Sequence, residues 1–225
     1  MLVLHGAGGT ATGMRAHTRL DVEADRLDYV VAYLEGSGLY RGWGSNESAD
    51  LRFVTDLIEE LDRKTPINRD RVFVVGYSDG GRFAQRLACA LGDQIAAIVS
   101  VSATTDTALA GACSPASDVS VLFVLGTDDP SVRWDAATPP GQASSLTAEQ
   151  TMAHWAMLNG CSLAPVVSQV AVAAGNGSAT ERWDYAGCTG GTVMLYVMHG
   201  AGHGWPRTAS RWISEFFQST NSRLR

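Results

Sequence analysis

Short apolar runs alternate with longer amphipathic stretches along most of this chain. Runs at residues 2–5, 29–34, 71–77, 95–101 and 119–125 are rich in Val, Ile and Leu, with no polar alternation. That pattern predicts strands buried on both faces. Between them, residues 11–27, 49–64, 80–91 and 147–158 carry apolar positions at helical spacing. In the second of these, Leu51, Val54, Leu57, Ile58 and Leu61 fall on one face. Residues 166–173, 181–185 and 193–197 read as further strands, the first two as an antiparallel pair, and 207–217 as a closing helix. Strands separated by helices predict an α/β fold, a mostly parallel central sheet with helices on both faces. Gly/Ser/Pro-rich stretches at 36–46 and 131–145 read as loops. No repeat or linker divides the chain, so residues 1–225 are expected to form one domain.

One motif stands at a strand-to-helix junction. Gly76-Tyr77-Ser78-Asp79-Gly80 follows Val72-Phe73-Val74-Val75 and precedes an amphipathic stretch. Gly-x-Ser-x-Gly in that context is the nucleophile elbow of the α/β-hydrolase fold. The turn is too tight for side chains at its flanks, hence the glycines. It raises the Ser78 hydroxyl above the sheet at a helix N-terminus, where free N–H groups favour developing negative charge. A serine at a helix start is also an ordinary cap; the strand before it and the helix after it favour the elbow.

A serine hydroxyl needs a base to take its proton and an acid to orient that base. In this fold the chain order is Ser, then Asp or Glu, then His. Asp128 and Asp129 follow the strand at 119–125, in Gly126-Thr127-Asp128-Asp129-Pro130, and either fits as the acid. His203 lies in His199-Gly200-Ala201-Gly202-His203-Gly204-Trp205-Pro206, after the strand at 193–197. His199 and His203 are four apart, but a metal pair at that spacing needs a helix, and the glycines there oppose one. His5 is expected to fix the loop it opens by hydrogen bonding. For an oxyanion, the N–H of Asp79 and that of Ala7, in the Gly-rich loop after the first strand, are the expected donors. Tyr40, Trp43, Trp134 and Trp205 are candidate walls of a substrate pocket, since aromatic faces suit planar groups and sugars.

The whole-chain numbers narrow the partners. Of 225 residues, 17 are basic and 23 acidic, giving a net charge of −6. The basic residues are nearly all Arg and are scattered, which argues against nucleic acid and anionic membrane. No apolar run reaches membrane-spanning length, and no signal peptide is visible. Cys89, Cys113, Cys161 and Cys188 lack metal-ligand spacing. Two disulfides or four buried thiols are both compatible with them, and spacing does not choose the pairing.

Taken together, these residues resemble the feruloyl esterases and polyhydroxybutyrate depolymerase-like proteins of carbohydrate esterase family 1. The resemblance is carried by Leu4-His5-Gly6, by Gly76-Tyr77-Ser78-Asp79-Gly80-Gly81 with Leu87-Ala88-Cys89, by Gly126-Thr127 with Asp129-Pro130, by Trp155 with Asn159-Gly160-Cys161, and by Gly202-His203-Gly204-Trp205-Pro206. It implies an α/β-hydrolase fold, shortened at the N-terminus, and a serine carboxylesterase that needs no cofactor or metal. Ser78 would be the nucleophile, His203 the base and Asp129 the acid, because the family's acid directly precedes the proline. It also implies disulfides Cys89–Cys113 and Cys161–Cys188, and with them export to a secreted or periplasmic location. The implied substrate is a small-molecule or oligosaccharide ester, feruloyl first, with short hydroxyalkanoate or acetylxylan-type esters as alternatives. Leu125 stands where the family usually has His.

Two readings from other classes compete. Gly6-Ala7-Gly8-Gly9-Thr10-Ala11 fits a dinucleotide-binding loop, with Glu35 at the end of the next strand as the ribose-binding acid. A catalytically dead hydrolase fold that only binds is the other. The dinucleotide reading leaves the elbow and the His203 loop without a role.

Overall fold

The computed structural model describes residues 1–44, 46–134, 144–170 and 179–220. Eight strands form one sheet: β1 (Leu2–Leu4), β2 (Ala32–Leu34), β3 (Phe73–Tyr77), β4 (Ala97–Val101), β5 (Ser120–Gly126), β6 (Val166–Val170), β7 (Thr180–Tyr185) and β8 (Val193–Met198). Their order is β2-β1-β3-β4-β5-β8-β7-β6. Neighbours from β2 through β8 run parallel, while β7 and β6 add antiparallel at one edge. The antiparallel pairing of the two late strands matches the sequence expectation; the rest of the stretch at 166–173 lies outside the described residues.

The helices are α1 (Ala11–Thr18), α2 (Leu20–Leu27), α3 (Glu47–Lys64), α4 (Asp79–Ala90), α5 (Thr107–Ala112), α6 (Ala148–Leu158) and α7 (Ala209–Thr220). They cover both faces of the sheet, because its central strands are apolar in both directions. On β5, Val121, Phe123 and Leu125 pack with α3, α4 and α6 residues such as Ile58, Phe83 and Trp155. Leu122 and Val124 point the other way, into a second core with Met14, Leu20, Trp212 and Phe217. Each of those five β5 side chains is at most 1% exposed. This is the uninterrupted apolar run of a doubly covered strand.

Three local expectations change. The single helix at 11–27 is two, broken at Arg19, whose φ is 51°. The Thr18 hydroxyl bonds back to Met14 O and the Arg19 N–H to Arg15 O, which closes α1. No Gly or Pro marks this break. The first two strands are shorter than the apolar runs that signalled them, spanning Leu2–Leu4 and Ala32–Leu34. Helix α5 was not foreseen; its six-residue Thr-Ala-Leu-Ala-Gly-Ala stretch is too short to show a period. Of the loop at 131–145, residues 135–143 lie outside the described residues.

The cysteines form two disulfides. Cys89–Cys113 ties α4 to the residue after α5, and Cys161–Cys188 ties the turn after α6 to the turn after β7. The four-thiol alternative is thereby set aside. Among the described residues no helix is long and apolar enough to cross a membrane.

Candidate active site

The carboxyl ends of β1, β3, β5 and β8 converge on Ser78. This residue sits between β3 and α4 with φ 54° and ψ −116°. A Cβ on Gly76 would run into the Gly80 carbonyl and stand 2.6 Å from the Gly81 nitrogen. One on Gly80 would stand 2.6 Å from the backbone oxygens of both Leu4 and His5. Both motif glycines are therefore required by backbone that cannot move aside. The strained φ of Ser78 is held by its N–H to Val101 O at 2.8 Å and by the Gly81 and Arg82 N–H groups on its own carbonyl. Such strain survives only where the surroundings over-determine it.

Ser78 Oγ lies 3.0 Å from His203 Nε2. On the far side of the ring, Nδ1 lies 2.8 Å from Asp129 Oδ2 and 3.0 Å from Oδ1. Nδ1–H donates to the carboxylate, so Nε2 carries the lone pair toward the serine. The loops bearing the two partners are built on each other. A Cβ on Gly126 would strike the Ala201 carbonyl. The Asp128 N–H donates to Ala201 O at 3.0 Å, and the Gly200 N–H to Thr127 Oγ1 at 2.8 Å. The Ser102 hydroxyl adds a bond to Gly204 O. The sequence pattern Gly-Thr-Asp-Asp-Pro thus shapes the seat of the histidine loop as well as carrying a carboxylate.

The two neighbouring aspartates part company here. Asp128 is exposed and accepts from the Thr127 hydroxyl. Asp129 is 2% exposed and faces His203. Burial by itself raises the Asp129 pKa. The Ser131 hydroxyl (2.6 Å), the Ser131 N–H (2.8 Å) and His203 together outweigh it and hold the carboxyl below its ordinary value. Asp129 is therefore ionised and acceptor-only at neutral pH. Ser131, whose Oγ is also 2.8 Å from His203 Nδ1, was not singled out in the sequence. Its signal was there: a Ser two residues after an Asp is a common Asx-turn partner.

The Gly-rich loop after β1 stands directly over the serine. A Cβ on Gly6 would meet Ser78 Cβ at 3.2 Å and the Tyr77 ring at 3.1 Å. His5 is buried; its Nε2 accepts from Gly36 N–H at 3.0 Å and its Nδ1–H donates to Gly6 O at 2.8 Å. It fixes the loop, as expected. The Gly8 N–H donates to Tyr40 O and the Gly9 N–H to Gly6 O. Of this loop's N–H groups, those of Gly8 and Gly9 are thus engaged within the fold. Glu35 Oε2 accepts the Ala11 N–H at 2.7 Å. A carboxylate thus occupies the helix N-terminus where a dinucleotide pyrophosphate would bind, which counts against the cofactor reading.

The four aromatic candidates separate. Trp43 is only 8% exposed; its ring stacks on Phe83, and its indole N–H donates to His5 O at 2.8 Å. Its backbone N–H donates to Asp79 Oδ2. It props the elbow from behind and offers little face to a ligand, unlike the pocket wall expected of it. Tyr40 is 79% exposed. Trp134 is half-buried and donates to Gly126 O. Trp205 is half-buried and meets the Tyr77 ring edge-on at 6.5 Å. Tyr77, which the motif treats as a free position, lies 5.3 Å from the His203 ring. His199 pairs with Glu181 at 3.2 Å.

No protein-family model matches the chain. A Nocardia uniformis protein named "Putative esterase NocK" is 30% identical, over 91% of this chain and 64% of that protein. Feruloyl esterase D of Neurospora crassa is 26% identical over 76% of this chain and 53% of that enzyme. The chain thus spans between half and two thirds of the length of these two relatives. Among solved structures, acetyl xylan esterase from Aspergillus awamori superposes with a TM-score of 0.70 at 15% identity, covering 96% of this chain and 87% of that one. A Bacillus cereus carboxylesterase gives 0.61 at 15% identity, over 97% and 87%. The fold is that of the α/β-hydrolases. Within that class, the chain is similar in sequence to esterases of the feruloyl esterase type.

Proposed function

We propose that this chain is a serine carboxylesterase. The observation that carries the reading is the hydrogen-bonded line from Ser78 Oγ through His203 to Asp129. Ser78 Oγ attacks the ester carbonyl as His203 Nε2 takes its proton, and the carbonyl oxygen becomes the oxyanion of a tetrahedral intermediate. The N–H groups of Asp79 and Ala7 receive that oxygen. Collapse releases the alcohol, which takes the proton from His203. Asp129, ionised and buried, stabilises the imidazolium and keeps its orientation. Water, activated by the same histidine, then frees the carboxylic acid and restores Ser78. Every step is proton transfer and acyl transfer by side chains and backbone of this chain.

The names of the sequence relatives favour a hydroxycinnamoyl ester, and the half-buried Trp205 and Trp134 with the exposed Tyr40 supply aromatic surface for one. Two disulfides suit an oxidising compartment outside the cytosol. We therefore propose a secreted or periplasmic enzyme, acting as a single domain on small or oligosaccharide esters. Methyl ferulate and 4-nitrophenyl butyrate, assayed side by side, test the substrate. The expected result is a kcat/KM for the ferulate at least equal to that for the butyrate. Turnover of the butyrate alone would replace the feruloyl assignment with a short-acyl or hydroxyalkanoate ester.

A further inference from the structure

A cavity of about 550 Å³ opens beside the candidate catalytic histidine, on the α1–α2–α7 side of the sheet. Its wall includes His17, Arg19, Glu23, Trp205, Arg207 and Arg211. It lies next to the elbow, because the Tyr77 ring, adjacent in sequence to Ser78, is 6.5 Å from both the His17 and Trp205 rings and 5.3 Å from His203. The wall is also held in place. Ser210 Oγ donates to Thr18 O at 2.6 Å and receives the Trp205 indole N–H at 3.2 Å, joining the end of α1, the start of α7 and the histidine loop.

The charge of this wall is opposite to that of the protein. Three of its lining residues are arginines and one is a glutamate, in a chain of net charge −6. Arg211 is engaged by Glu215 at 2.8 Å, and Glu23 by Arg26 at 2.7 Å. Arg19 and Arg207 make no ion pair among the described residues, whereas most other arginines do. Arg19 moreover occupies the left-handed region, φ 51°, at the join of α1 and α2. Gly or Asn would meet that backbone with less strain. Strain kept at a residue whose side chain makes no ion pair among the described residues is a pointer to function.

We propose that this cavity is a subsite for a carboxylate carried by the substrate, bound by Arg19 and Arg207, with Trp205 and Tyr77 flanking the planar segment that links it to the scissile ester. The substrate class is then an ester of a planar, carboxylate-bearing molecule. Guanidinium forks match a carboxylate in charge and shape. The assignment of the ligand to an ester rests on the esterase reading above; the anion site does not.

Calorimetric titration with 4-hydroxybenzoate and with its neutral isostere 4-hydroxybenzamide tests the site without any turnover. The acid is expected to bind about ten-fold or more tighter than the amide, as charge-assisted bonds require, and the gap should narrow with added salt. Arg207→Gln should shrink the gap, Arg19→Gln with Arg207→Gln should close it, and Arg19→Lys with Arg207→Lys should retain most of it. Equal binding of acid and amide by the unaltered protein, or a preference that survives the double Gln change, would overturn the subsite. Turnover of 4-acetoxybenzoate and 4-acetoxybenzamide separates the two proposals. Ser78-dependent turnover with no preference in KM removes the subsite and leaves the esterase. An anion preference in binding with no Ser78-dependent turnover does the reverse.

Discussion

Asp129→Asn is expected to lower kcat roughly 10⁴-fold, the usual size for a triad acid turned into an amide, while Asp128→Asn leaves it within about two-fold, as for other exposed substitutions. The two residues are adjacent and chemically identical, so the contrast comes from placement alone. Asp129 is buried, takes two bonds from Ser131 and faces His203 Nδ1. An amide there presents an N–H to the ring as readily as an oxygen, and the imidazole can turn its lone pair away from Ser78. Asp128 bonds only the neighbouring Thr127 hydroxyl and is exposed. Stability should follow the same carboxylate. Its pKa is lower in the folded protein than the ordinary value near 3.9, so its contribution is present above that value and fades as the pH falls through the folded one. Urea midpoints between pH 7 and pH 2 should show a steeper slope in the unaltered protein than in Asp129→Asn, the remaining slope belonging to Asp21, Asp62 and Glu181, whose carboxyls are also held low. Equal kinetic losses in the two variants, or the larger loss at Asp128, would refute the assignment.

Gly76→Ala should cost about 3 kcal/mol or more, at the upper end for an overpacked site. For a chain of this size that is a fall in melting midpoint of about 10 °C. A methyl group at Gly76 meets the Gly80 carbonyl and the Gly81 nitrogen, both backbone atoms of the first turn of α4. Relief requires α4 to move off β3, which would displace Ser78 and the Asp79 N–H together. Activity should therefore fall with stability. Gly111→Ala is the matched control. Gly111 lies in α5 with nothing within 4 Å of an added Cβ, and alanine there should be neutral or stabilising by up to about 1 kcal/mol. Thermal melts of the two variants decide the matter; equal midpoints would mean that the elbow is not as tightly closed as its glycines indicate.

The parts of the molecule that were legible in the sequence are those where one local rule acts alone. Val121 through Leu125 form a continuous apolar run because β5 is covered on both faces, and that needs no tertiary knowledge to read. Gly76 and Gly80 are forced by backbone contact within a few residues, so the elbow announces itself. His203 was legible because a histidine among glycines after a late strand has few other uses. The break at Arg19 was not legible, since it depends on the Thr18 hydroxyl and on how α2 packs beside α7, and no Gly or Pro marks it. Trp43 and Trp205 look alike in sequence, each in an aromatic loop; only packing separates the buried prop from the half-buried wall. The cavity between α1 and α7 is formed by residues nearly two hundred positions apart, and no local pattern joins Arg19 to Arg207. Ser131 shows an intermediate case, visible as a turn residue but not as a donor to the carboxylate.

The most direct test of the account is turnover of 4-nitrophenyl butyrate by the unaltered protein and by Ser78→Ala under identical conditions. Loss of the nucleophile should reduce kcat by about 10⁶-fold, leaving only the residual rate that binding and oxyanion donors supply, with the fold intact by circular dichroism. Turnover that persists in Ser78→Ala, or none in either protein, would contradict the claim that Ser78 carries the chemistry of this chain.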